Sequence, residues 1–144
     1  MTSNEARATR LVRALRAGIE GDRRALEELY TDDVRAWTPA MSTGSLPELM
    51  DELDRRDHAF SAIELEVAPL DVGGDYAGVE WSVAMTHTGT LVLAGDTAIE
   101  PTGLRVTLHG VTVAEFRGGR ICALRQYWDE FEVLAQLGAS GGIG

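Results

Sequence analysis

Apolar positions recur at helical spacing in the first third of the chain and on alternate residues through most of the remainder. Leu11, Val12, Leu15 and Ile19 predict an amphipathic helix over residues 4–20, with arginines on its wet side, a capping-box pattern from Thr2 to Glu5 and a stop at Gly21. Asp22 is suited to cap a second, short helix through Leu29 and Tyr30. Thr31-Asp32-Asp33 breaks that helix before an extended Val34-Arg35-Ala36-Trp37, which Pro39 ends. Ser45-Leu46-Pro47-Glu48 combines an N-cap, an early proline and a capping glutamate, predicting a third helix from Leu46 to about Asp57 with Leu46, Leu49, Met50 and Leu53 as its apolar stripe.

From there the period drops to two. Ile63, Leu65 and Val67 alternate with Glu64 and Glu66 before a turn at Gly73-Gly74-Asp75, and Val79, Trp81, Val83 and Met85 share one side of the strand that follows. Residues 89–102 are turn-rich around Leu91-Val92-Leu93 and predict a loop able to fold over something. Gly103 to Asp129 is the clearest element: two long strands joined at Gly118-Gly119, since paired glycines accept the positive φ of a tight hairpin turn. Val106 and Leu108 before Gly110, against Val111 and Val113 after it, switch parity and predict a bulge there. An apolar helix, Phe131 to Leu137, closes the pattern. Residues 1–138 then make one domain, and 139–144 a flexible Gly/Ser-rich tail. The order is α+β: a mainly antiparallel, curved sheet wrapped around three helices, leaving a conical hollow.

Composition narrows the partners. At 144 residues the chain can bury about 68–70% of its unfolded surface in one core. A net charge of −10 argues against nucleic acid and anionic membranes, which require Lys and Arg to neutralise them. The single Cys122 can form no internal disulfide. The first residues lack a basic and apolar leader, and no stretch reaches the roughly 18 apolar residues of a spanning helix, so a cytoplasmic location is expected.

Four motifs in order carry a family resemblance: Thr86-His87-Thr88-Gly89-Thr90-Leu91, Pro101-Thr102-Gly103-Leu104-Arg105-Val106, Phe116-Arg117-Gly118-Gly119-Arg120-Ile121, and Tyr127-Trp128-Asp129 through Gln136-Leu137-Gly138. Together they resemble the SnoaL-like polyketide cyclases of the nuclear transport factor 2-like superfamily. The resemblance implies a cone-shaped α+β barrel, a homodimer through the outer sheet face, no metal and no organic cofactor. It also implies an aspartate late in the final strand, here Asp129, as acid/base in an intramolecular aldol closure of a hydrophobic, polyketide-like substrate. The Leu91–Glu100 connection is longer than the family's, which bears on the substrate.

The residues themselves leave alternatives open. Aldol closure needs a base for a proton α to a carbonyl and an acid for the alkoxide, and one carboxyl group in an apolar pocket can serve as both. Asp129, between Trp128 and Phe131, suits that task or caps the helix that starts at Glu130. His109 either relays a proton or holds an enolate oxygen through its ring N–H, or is a satisfied or interface histidine. With a two-residue turn at Gly118-Gly119, Leu108 pairs with Asp129 and His109 lies across from Trp128; one bulge, near Gly110 or in the last strand, would bring His109 and Asp129 together. His87 shares parity with Trp81, Val83 and Met85 and either contacts ligand or holds the following loop. Trp37, Trp81, Tyr127 and Trp128 either wall a site for a flat substrate or pack the core. Arg125 shares parity with Tyr127 and Asp129; facing inward, it would favour epoxide hydrolysis, and facing outward it is a surface residue. No metal-ligand spacing, phosphate loop or nucleophile elbow occurs. Three functions follow: a cofactor-independent cyclase or isomerase, a noncatalytic small-ligand-binding or dimerisation module, and an epoxide hydrolase-like enzyme.

Overall fold

The computed structural model describes residues 3–56, 58–92 and 97–138. The predicted cap at Thr2, the end of the third helix at Asp57, Leu93 of the long loop and the 139–144 tail lie outside these. Helix α1 (Ser3–Glu20) buries Leu11, Ala14 and Ala17. Asp22 caps α2 (Arg23–Leu29), its Oδ1 accepting the Ala25 amide at 3.1 Å. Helix α3 (Leu46–Arg56) is capped by Ser45, whose hydroxyl accepts the Glu48 amide at 3.3 Å, while the Glu48 carboxylate reaches back to the Gly44 amide at 2.9 Å. Each cap satisfies amides that have no partner within the helix.

The strands are β1 (Tyr30–Thr38), β2 (Met41–Thr43), β3 (Phe60–Leu70), β4 (Tyr76–His87), β7 (Arg105–Arg117) and β8 (Arg120–Trp128), in spatial order β2-β1-β8-β7-β4-β3. Only β1 and β8 pair in parallel. The sheet is thus mixed but mostly antiparallel, and it curves without closing, with β2 and β3 as its edges. Helix α1 packs on β3 and β4, and α2 and α3 pack on β1. Within the turn-rich stretch 89–102, β5 (Leu91–Val92) and β6 (Ala98–Ile99) form a small ribbon of their own, a regular element where a loop was expected. Helix α4 (Glu130–Gln136) follows β8. Among the described residues no helix is long and apolar enough to cross a membrane.

The terminal hairpin turns where predicted, with Gly118 and Gly119 at φ of 61° and 81° and Arg117 paired with Arg120. The bulge, however, lies elsewhere. The ladders run unbroken through Gly110, which pairs with Trp81 on one side and Trp128 on the other. The register shifts instead between the Phe116–Ile121 and Glu115–Ala123 pairs, leaving Cys122 as the extra residue of β8. Consequently Val106, Leu108, Thr112, Ala114 and Phe116 of β7 are buried on the inner face, and Val111 and Val113 lie half-buried on the outer one. Gly110 is required for another reason: a Cβ there would overlap the indole of Trp81 and lie 2.7 Å from the Tyr127 carbonyl oxygen.

Across the outer surface, Arg117 donates to Asp33 at 2.6 Å. That hydrogen bond holds the Asp33 carboxyl below its usual 3.8, and the same pairing raises Arg117.

Candidate functional site

The buried residues form two groups. One, built from α1, α2, α3 and the strands they cover, is filled; its members include Leu11, Val34, Val79 and Ile121, all at 0% exposure. The other gathers Val83, Met85, Val106 and Leu108 of the sheet with Val133 of α4 and Leu137, which caps that helix at its C-terminus. Beside it opens a cavity of about 610 Å3, inside the roughly 300–1,000 Å3 range typical of small-molecule sites. Its walls come from α1 (Leu15, Ile19), β3 (Phe60, Ile63, Leu65), β4 (Trp81, Val83, Met85), β8 (Gln126, Trp128) and α4 (Val133, Leu134), and the ribbon residues Leu91 and Val92 add a further side. Among the described residues, the polar lining consists of Thr38, Glu52, His58, Thr90, Gln126 and Glu130. His58, Thr90 and Glu130 are exposed and mark where the cavity meets solvent, whereas Thr38 and Gln126 are buried.

Of the aromatic residues singled out from the sequence, Trp81 and Trp128 line this cavity. They sit on either side of Gly110 across three strands, their rings 6.3 Å apart and close to edge-on, so the glycine makes the space that lets the two indoles meet. The Trp81 ring nitrogen donates to the buried Thr112 hydroxyl at 2.8 Å, which fixes the indole plane. Trp37 and Tyr127 stand on the opposite face of the sheet, 43% and 49% exposed and stacked on each other at 5.2 Å. Arg125 faces outward with them. The reason is the period of the strand: after the Cys122 bulge, Leu124, Gln126 and Trp128 take the inner face, and Arg125 and Tyr127 must take the outer one.

Asp129 and His109 lie outside the cavity. The Asp129 carboxylate is exposed and caps α4, accepting the Phe131 amide at 2.9 Å, although its neighbours Trp128 and Glu130 both line the cavity. The bulge does bring the register of His109 opposite Asp129, since Gly110 pairs with Trp128, but His109 is exposed and its partner is Glu132. The Glu132 carboxylate accepts the His109 amide at 2.6 Å and contacts its imidazole Nδ1 at 3.1 Å. One turn later on α4, the Gln136 side chain accepts the Thr107 amide at 2.8 Å and donates to the Thr107 carbonyl at 2.7 Å. Beyond Gly110, where β8 has ended, β7 would present bare backbone; Glu132 and Gln136 stand in for the missing strand. The pairing role of Gln136 was not anticipated from the sequence.

His87 is fully buried and does not line the cavity. Its Nδ1 accepts the Thr102 amide at 3.2 Å and lies 2.9 Å from the Thr102 hydroxyl, while its backbone bonds Leu104 and Gly103. Of its two weighed roles, the structure displays the loop-holding one. Among the described residues, no cluster of three His, Cys, Asp or Glu side chains is placed to hold a metal ion.

Comparison with known proteins places this geometry in context. The profile of the SnoaL-like domain matches residues 8–124. No protein of curated function matches the chain in sequence. Among solved structures, a protein from Jannaschia sp. CCS1 assigned as a SnoaL-like polyketide cyclase superposes with a TM-score of 0.81 at 17% identity, covering 96% of each chain. AclR from Streptomyces galilaeus, assigned as a hydroxylase, gives 0.78 at 20% identity over 99% of this chain and 87% of its own. An epoxide hydrolase of the LEH-like type from M. tuberculosis gives 0.71 at 17% identity over 96% and 94%. At such identities the likeness is one of fold, and three different chemistries share it.

Proposed function

Because the chain belongs to the SnoaL-like family, we propose that it takes up a flat, hydrophobic, polyketide-like small molecule in the cavity beneath Trp81 and Trp128. The observation that carries this reading is the hollow itself: about 610 Å3 with mainly apolar walls and the two indoles on one side. Aromatic faces bury much area at small entropic cost and suit a fused-ring ligand. Titration with 2-acetylnaphthalene, followed by the fluorescence of Trp81 and Trp128, tests it. Saturable quenching supports the reading, and a flat titration removes it.

A second reading, acid/base conversion of that ligand, is favoured by the family and by the polyketide-cyclase assignment of a structural neighbour. Asp129 would be the acid/base and His109 its helper, which requires both to reach the ligand; each faces water on the far side of a cavity-lining residue. Binding alone is therefore the function the geometry favours. Asp129→Asn keeps a cap but cannot shuttle protons, so it distinguishes the two. Lost turnover with ligand affinity held within a few fold supports conversion; unchanged turnover counts against Asp129. Homodimer formation through the outer sheet face belongs to the same proposal, and sedimentation of Trp37→Ser beside the parent chain tests it.

A further inference from the structure

Gln126 is the one long polar side chain on the inner face of β8, between Leu124 and Trp128, and only 8% of it is exposed. It lines the cavity, and its amide has no hydrogen-bond partner among the described residues. The amide faces the cavity and is satisfied from that side, by water or by a ligand group, so a ligand that displaces the water there must offer it a hydrogen bond. Thr38, 3% exposed, lines the same cavity one residue beyond the Trp37–Arg125 pair that joins β1 to β8, which sets it beside Gln126. Its hydroxyl oxygen already accepts the Ala40 and Met41 amides at 3.0 and 3.1 Å, leaving its proton as what it can still offer.

Resting on the binding reading above, we infer that Gln126 and Thr38 form a recognition site for a neutral carbonyl oxygen at the leading end of the ligand. Both groups donate hydrogen bonds, and a ketone or quinone oxygen has two lone pairs to receive them. Charge disfavours an anionic ligand at this subsite: among the described residues no Lys or Arg lines the cavity, and two of its polar residues, Glu52 and Glu130, are acids. The site selects a ketone over a hydrocarbon of the same shape by pairing an amide that the hydrocarbon would strip of water, and it disfavours a carboxylate.

The experiment compares three probes of one ring system, 2-acetylnaphthalene, 2-ethylnaphthalene and 2-naphthoate, binding to the parent chain, Gln126→Leu and Gln126→Met, read by tryptophan fluorescence. The parent chain is expected to bind the ketone about fivefold more tightly than the ethyl compound, the share of one net hydrogen bond, and naphthoate most weakly. Both variants should lose the preference for the ketone while binding the ethyl compound at least as well, and should unfold at no lower temperature than the parent. A ketone preference that survives in both variants, or equal binding of the two neutral probes by the parent chain, overturns the inference and leaves the cavity as a binding site. A parent chain that binds neither neutral probe overturns the binding reading, and this inference falls with it.

Discussion

The half of the interior under α1, α2 and α3 and the half under α4 are walled by the same long strands, yet one is solid and the other hollow. In the filled half, Leu11, Val34, Val79 and Ile121 are entirely shielded. In the hollow half, Val83, Leu108 and Val133 keep 8–9% exposure because they face the cavity. The difference comes from what covers the sheet. Three helices press on the first half, whereas the second is covered by seven residues of α4, a two-stranded ribbon and only the flanks of α1 and α3, too little side-chain volume to fill the curve. The filled core is thereby separated in space from the proposed binding site: substitutions in the filled half should cost folding energy, and those in the hollow half should chiefly alter binding.

The largest expected effect tests that separation. Leu11→Ala should cost about 2–5 kcal/mol, as it opens a void in a close-packed region, while Leu108→Ala should fall near or below the low end because it enlarges a space already present. Equal losses in urea unfolding would mean that the two halves are packed alike. Gly110→Ala, at the boundary, forces a methyl group into the Trp81 indole and should cost about 1–3 kcal/mol with a shift in tryptophan emission. Gln136→Ala removes both bonds to the Thr107 backbone and should cost about 1–2 kcal/mol, with faster amide exchange at Thr107 as α4 loosens its hold on the cavity.

The smallest effect lies outside both halves. The folded Asp33 carboxyl titrates below its usual 3.8, so its contribution is present above that value and is lost as pH falls through the depressed one. Asp33→Asn should narrow its stability gap to the parent chain below pH 3.8, and salt should shrink the gap at neutral pH because the Asp33–Arg117 pair is exposed. A gap that widened with acid would have the wrong sign for this pairing.

Local chemistry in the sequence announced the helix starts at Asp22 and Ser45, because a cap needs only one side chain and the amides two or three residues on. The Gly118-Gly119 turn was legible for the same reason. The candidate site was legible only in part. Trp81 and Trp128 were found as cavity aromatics, but Trp37 and Tyr127 carry an equally apolar signature and sit on the outer face. The loop predicted over 89–102 holds the β5–β6 ribbon, whose Leu91 and Val92 reach the cavity. Gln126 was overlooked although its spacing from Leu124 and Trp128 placed it on the inner face, because a polar residue between apolar ones is usually discounted in reading a strand.

What the sequence determined alone is the α+β class, the order of the helices and long strands, the family and the chemistry on offer: caps, turns and periods act over a few residues and need no partner from afar. Tertiary structure decided which of those groups line the cavity. One extra residue, Cys122, sets the register of the last strand, and the fall of that strand's alternation sends Gln126 and Trp128 inward while Arg125 and Tyr127 go out. The start of α4 then claims Asp129 as its cap, and Glu132 claims His109, because β7 leaves backbone amides that something must satisfy. Face and partner are properties of the ladder as a whole, since a shift of one residue reverses every side chain beyond it.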